Sequence, residues 1–157
     1  MKGWLLDTNV ISEVSGAKPD RKVEKWINSQ PEHTLFLSIL TIAEYQKGIE
    51  HLSPGDKLRP RLQQAVVALE TRFSGRILSV SDQIALRWGS ISGEVKRLTG
   101  HPPSVIDTML AATAIEHSLY LATRNVADVA KSGAEVFNPW KDDPAYFFLS
   151  NSSLRRS

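Results

Sequence analysis

The 157-residue chain contains no cysteine, which excludes disulfide cross-links, thiolate zinc sites and a cysteine nucleophile in one step. Any bound metal must then be held by oxygen or by the four histidines, and His33, His51, His101 and His117 show no ligand-like spacing. No stretch approaches the roughly 20 consecutive apolar residues that span a bilayer, and the amino terminus meets Asp7 too early for a secretory signal. The expected location is cytoplasmic, with no membrane association. There is neither a Gly-x-x-x-x-Gly-Lys phosphate loop nor a Gly-x-Ser-x-Gly elbow, so nucleotide hydrolysis and serine catalysis lack support. An excess of charge of one sign is also missing. Lys plus Arg at 19 against Asp plus Glu at 17 leaves +2, which is compatible with a polyanionic partner without demanding one.

What is present is the ordinary material of a folded domain. A hydrophobic fraction of 41% against 23% charged argues for one packed core in a chain of this length. Trp4-Leu5-Leu6 is a short buried strand that ends at Asp7-Thr8-Asn9 and leads into a helix, and a second helix is centred on Val23 to Ile27. Leu35 to Ser38 is a strand. From Thr41 the apolar positions Ile42, Tyr45, Ile49 and Leu52 recur at helical steps, and after the break at Ser53 to Asp56 a second stripe runs through Leu58, Leu62, Val66, Leu69 and Phe73 to Gly75. Ile77 to Val80 is a third strand, and Asp82 is the expected cap of a helix carrying Ile84, Trp88, Ile91, Val95 and Leu98, ended by Gly100. A helix over Val105 to His117, a strand over Leu119 to Thr123 and a strand over Ala134 to Phe137 complete the pattern.

Short apolar strands alternating with helices predict an α/β fold, with a central parallel sheet of about four to five strands and helices on both faces. At Lys141 the composition shifts. Residues 1–140 are therefore expected to form the domain. Residues 141–157 are read as a tail, in which Tyr146-Phe147-Phe148-Leu149 is an apolar patch and Ser150 to Ser157 is polar; this tail either docks or frays.

In sheets of this kind, functional groups gather beyond the carboxyl ends of the strands. Four acids fall there: Asp7 after the first strand, Glu44 early in the helix after the second, Asp107 early in its helix, and Asp128 shortly after the fourth strand. Each has a plain structural explanation as a helix-start residue. Asp7 fits an N-cap, Thr41 with Glu44 and Ser104 with Asp107 fit capping boxes, and Asn125 with Asp128 fits a looser one. Capping does not require all four to share one edge of a sheet. Clustered carboxylates without cysteine or a histidine pair suit Mg²⁺ or Mn²⁺, and such an ion serves phosphodiester hydrolysis by activating water and offsetting charge. Thr8, Asn9, Thr123 and Asn125 are placed to hold these carboxylates or bound waters, or are simply turn residues. Arg124, Lys47 and Arg87 are candidate phosphate contacts or solvated surface groups.

Four stretches also resemble, in order, the motifs of PIN-domain toxins: Leu5 to Glu13, Ser38 to Glu44, Val105 to Ala114 and Leu121 to Asp128, followed by Val136-Phe137-Asn138-Pro139-Trp140. The resemblance covers about residues 1–140 and implies a PIN-like three-layer fold. It further implies an endoribonuclease of the VapC or FitB-like kind, requiring Mg²⁺ or Mn²⁺, dimeric, and silenced by a small DNA-binding antitoxin. Asp7, Glu44 and Asp107 match the family's metal-binding acids. Asp128 matches a fourth acid, with Asn125 near enough to share or replace it, and Val129 stands where an aromatic residue is common. The competing functions are a catalytically silent PIN-like module that binds nucleic acid or protein, and a small α/β phosphatase with Asp7 as nucleophile. The phosphatase chemistry wants a second acid in the first loop, where Thr8-Asn9 supplies none.

Overall fold

The computed structural model describes residues 2–147. In chain order its elements are β1 (Trp4–Leu6), α1 (Thr8–Val14), α2 (Arg21–Ser29), a 3-10 turn (Glu32–Thr34), β2 (Leu35–Ser38), α3 (Ile39–His51), α4 (Leu58–Arg72), β3 (Ile77–Leu78), α5 (Asp82–Thr99), α6 (Val105–Glu116), β4 (Tyr120–Ala122), α7 (Val126–Val129) and β5 (Val136–Phe137). The strands form one sheet in the order β3-β2-β1-β4-β5, with every neighbouring pair parallel. This is the expected α/β architecture of five strands between helical layers.

Alternation along the strands sorts their side chains onto two faces. Trp4 and Leu6 of β1, Leu35 and Leu37 of β2, and Tyr120 and Ala122 of β4 face one way. They pack with Val10 and Ile11 of α1, Trp26 of α2, Ile42 of α3 and Leu69 of α4. Leu5 and Leu121 face the other way, onto Leu110, Ala111 and Ala114 of α6. Both faces being covered explains why the strands are continuous apolar runs rather than alternating ones. Helix α5 packs on α6 through Ile84, Ile91 and Ala112. The small residues of α6 let its outer face take a second helix while its inner face lies on the sheet.

The strand order also fixes where a site can form. From β1 the chain steps through β2 to β3 with α1 to α4 on one face, then returns past β1 to β4 with α5 and α6 on the other. The direction of winding therefore reverses between β1 and β4, and the loops leaving those strands diverge to leave a crevice at their carboxyl ends.

Helix boundaries correct several expectations. Helix α3 begins at Ile39, two residues before the expected start, because Ser38 ends β2 and also caps the helix by accepting from the Leu40 amide. Thr41 and Glu44 therefore form no capping box, and Thr41 is buried inside the helix. The cap of α5 is Ser81, whose hydroxyl accepts from the Ile84 amide, and Asp82 is the first helical residue instead. Gly100 ends α5 at φ 82, and Gly75, φ 75, turns the chain beyond α4; both positions lie in the left-handed region that glycine occupies without strain. β3, β4 and β5 are shorter than their apolar runs, since only the parts that reach a neighbour in register pair.

After β5, Asn138 and Asp142 staple a turn through the Asn138 amide, 2.8 Å from Asp142 Oδ2. Phe147 then packs among Trp4, Tyr120 and Phe137, and its carbonyl accepts from the Tyr120 hydroxyl at 2.9 Å. Tyr146, beside it, is exposed. Phe148, Leu149 and the polar stretch to Ser157 lie outside the described residues. Among the described residues no helix is long and apolar enough to cross a membrane.

Candidate active site

Asp7 is the first residue after β1. Its amide donates to the Ala122 carbonyl of β4 at 2.9 Å, so the sheet ladder itself fixes its backbone beside the end of β4. It occupies the N-cap position of α1, yet its side chain makes no capping hydrogen bond there. The carboxylate instead turns toward β4, where Thr123 Oγ1 donates to Oδ2 at 2.7 Å and Asn9 Nδ2 approaches the same oxygen at 3.3 Å. Asp7 is 6% exposed. Burial, first, and the charges of Asp107 and Glu44, second, push its pKa above the ordinary aspartate value, against hydrogen bonds from Thr123 and the Thr8 amide. Two acids widely separated from it in sequence therefore act on Asp7, and holding its charge there carries an electrostatic cost.

Glu44 comes from α3. Thr8 Oγ1 donates to its Oε1 at 2.8 Å and lies 3.3 Å from the buried Thr41 hydroxyl. Asp107 sits in the first turn of α6, where Ser104 caps the helix with its hydroxyl 3.5 Å from the Asp107 amide. The Asp107 carboxyl is also pushed up, by burial and by the charge of Asp128, while the Ser104 hydroxyl pulls the other way.

Asp7, Glu44 and Asp107 line one open cavity of about 490 Å³, together with Thr8, Asn9 and Asn125. Asp128 does not line it. That side chain is placed on a neighbouring cavity of about 380 Å³ with His101, Ser104 and Lys131, near enough for its charge to act on Asp107 but apart from Asp7 and Glu44. Asn125, the other candidate for the fourth position, faces the acid cavity, and its amide donates to Thr123 Oγ1 at 3.0 Å. Asn125 precedes α7 without a side-chain cap bond, so the looser capping box with Asp128 is not formed.

Ser12, Glu13 and Arg124 also line the cavity. Ser12 and Glu13 were not among the sequence candidates. They lie four residues after Thr8 and Asn9, the spacing that puts them on the same face of α1, and that periodicity was the signal available. Of the basic candidates, Arg87 is paired with Glu116 and Lys47 lines an adjacent, mostly apolar groove that shares Glu44 with the acid cavity.

Among the described residues, no ion pair joins a cation to Asp7, Glu44 or Asp107. Nor do three acid or histidine side chains stand at the spacing of a preformed cage around one ion. The donor set is nonetheless all hard oxygen, mutually repelling and open to solvent, which is the chemistry that a Mg²⁺-class ion relieves.

The family model of the PIN domain matches residues 4–127. Toxin FitB of Neisseria gonorrhoeae is 38% identical over 141 residues, covering 88% of this chain and 99% of its own length. VapC ribonuclease Y4jK of Sinorhizobium fredii is 33% identical over 140 residues, with 87% and 97% covered. Among solved structures, that of FitAcB from Neisseria gonorrhoeae superposes with a TM-score of 0.78 at 34% identity, covering 88% of this chain and 99% of that one.

Proposed function

The chain belongs to the PIN-domain family, and from that premise we propose that it is a Mg²⁺- or Mn²⁺-dependent endoribonuclease, the toxin of a toxin–antitoxin pair. One observation carries the proposal: Asp7, Glu44 and Asp107, from three separate elements, share one solvent-open cavity at the point where the sheet reverses its winding. The similarity to a protein named toxin FitB and to one named a VapC ribonuclease supports the same reading.

In this proposal Asp7, Glu44 and Asp107 hold the divalent cation. When bound, it supplies an activated water and offsets the charge that builds on a phosphodiester during displacement. The protein's own residues do the positioning. Thr123 and Asn9 restrain Asp7 Oδ2, leaving Oδ1 for a ligand, and Thr8 restrains Glu44 Oε1 and leaves Oε2. Ser104 keeps Asp107 at the amino end of α6, where the helix dipole favours its negative charge. These bonds restrain the carboxylates from swinging freely into solvent, so the orientation cost is met on folding rather than on binding. Asp128 shapes the field at Asp107 from outside the cavity, and Asn125 takes the position beside Thr123.

The partners proposed are an RNA substrate, a second copy of the chain and a small DNA-binding antitoxin. A cavity of unpaired carboxylates is a fitting target for an antitoxin arginine, whose planar fork takes a carboxylate through two hydrogen bonds. The deciding experiment is cleavage of a mixed-sequence single-stranded RNA by the full-length protein with Mg²⁺ or Mn²⁺, against EDTA and a folded Asp107→Asn variant. Cleavage that survives both controls removes the metallonuclease reading. Light scattering at tens of micromolar tests the self-association; a monomer there counts against the dimer.

A further inference from the structure

Among the described residues, Arg124 is the one cation that lines the acid cavity. Asp7, Glu13, Glu44 and Asp107 line it too, and simple electrostatics would pair the guanidinium with one of them. It is not so paired. Among the described residues none of the ion pairs includes Arg124; its guanidinium lies instead over the ring of Trp140, 5.0 Å from the centroid.

That arrangement has a specific chemical result. A cation–π contact with an aromatic ring engages the guanidinium without consuming its N–H donors in hydrogen bonds, so they stay available to an acceptor. The backbone is restrained as well: the Arg124 amide donates to Asn9 Oδ1 at 3.3 Å, and Asn9 is the residue whose Nδ2 approaches Asp7 Oδ2. Arg124 also follows Thr123, the other residue that fixes Asp7. The cation is thus built into the same short network as the deepest acid, but parked where it does not cancel that acid's charge. A lysine has neither the flat face nor the fork to do both.

We propose that Arg124 is the phosphate-binding residue of this site, presenting its N–H edge to a phosphate of the RNA strand that crosses the acid cavity. The stack on Trp140 holds it between substrates. This rests on the nuclease reading above, and the test separates the two. Arg87, engaged with Glu116 at the opposite end of α6 from Asp107, serves as the control for loss of a surface charge.

The experiment compares full-length wild type, Arg124→Ala, Arg124→Lys, Trp140→Leu and Arg87→Ala. It reads cleavage of a mixed-sequence single-stranded RNA with Mn²⁺, together with the salt dependence of binding of a fluorescent RNA of the same composition in the Asp107→Asn background. Arg124→Ala is expected to lower kcat/KM by about tenfold or more, and to flatten the slope of log Kd against log salt by about 0.7, the share of one phosphate on a single strand. Arg124→Lys keeps the slope while losing part of the rate, and Trp140→Leu keeps the slope with weaker binding, because each retains the charge and loses the held geometry. Arg87→Ala matches wild type. A folded Arg124→Ala protein that binds RNA with the wild-type affinity and salt slope overturns the inference and leaves the nuclease standing. A wild type that neither cuts nor binds RNA overturns both. Normal RNA binding by Arg124→Ala alongside lost binding of an acidic peptide would assign the residue to a protein partner and overturn it equally.

Discussion

The two edges of the sheet treat charge in opposite ways. At the amino edge, charges are neutralised. Glu32, just before β2, receives Arg72 Nε at 2.9 Å and Arg76 Nη2 at 3.2 Å, and Arg76 also donates to the Leu35 carbonyl at 2.7 Å. Lys2, just before β1, pairs with Glu135, just before β5. These arginine hydrogen bonds and charges hold the Glu32 carboxyl below its ordinary range. At the carboxyl edge, Asp7, Glu44 and Asp107 converge without a paired cation, and burial with mutual repulsion pushes Asp7 up. The amino edge spends its charges on holding strands together; the carboxyl edge keeps its charges unsatisfied, which costs stability and leaves a site with something to bind.

The comparison breaks most visibly under substitution at the carboxyl edge. Asp107→Asn keeps the shape of the side chain and removes one charge, so RNA cleavage is expected to fall beyond the roughly 10–100-fold typical of changes around a metal site, in a protein whose melting curve shows it folded. If Asp107 served only α6, the same change would cost at most about 1 kcal/mol of stability and leave function intact. The next effect in size belongs to Thr123→Val, an isosteric change that deletes the 2.7 Å hydrogen bond to Asp7. It should reduce Mn²⁺ affinity, followed by calorimetry, by about tenfold or more; unchanged affinity would show that Asp7 does not need orienting.

A third effect is smaller and concerns pH. In the metal-free protein, Asp7 and Asp107 have raised pKa values in the fold. The folded state therefore binds their protons more tightly than the unfolded chain, and the linked stability is present at low pH and lost as pH rises through the folded values. Glu32 has the opposite sign, contributing above its ordinary value and losing that contribution as pH falls below it. Between neutral pH and the ordinary glutamate value of 4.5, above which Glu32 still contributes, the melting temperature should rise on acidification, and Asp7→Asn should flatten that rise. A metal-free wild type whose melting temperature only falls across this window contradicts the asymmetry of the two edges. The smallest effect is expected at the amino edge itself. Arg72→Ala should cost about 1 kcal/mol or less, as exposed ion pairs do, and leave RNA cleavage at the wild-type rate.

Much of this was legible in the sequence, for identifiable reasons. The stripes of α4 and α5 were plain because each runs for three or more turns with regular apolar spacing, and the strands because burial on both faces makes them continuous apolar runs. The start of α3 was hidden because Ser38 serves both β2 and the helix, so the periodic signal began late. The four residues of α7 are too few to show a period. In the site, the grouping of Asp7, Glu44 and Asp107 followed from their places beyond strand ends, whereas the separation of Asp128 depended on the path of α7. Arg124 was visible only as one basic residue among several; what distinguishes it is Trp140, 16 positions along the chain and brought over it by the fold.

The bond between Thr123 and Asp7 joins residues 116 apart in sequence, and this separation has a consequence in time. A ribosome delivers Asp7 well before Thr123, and β1 has no β4 beside it until Thr123 is reached. Until then the carboxylate lacks the 2.7 Å bond from Thr123, whatever the state of α1 and α3. The complete geometry of the site is therefore withheld from the growing chain by its own topology until β4 has been made.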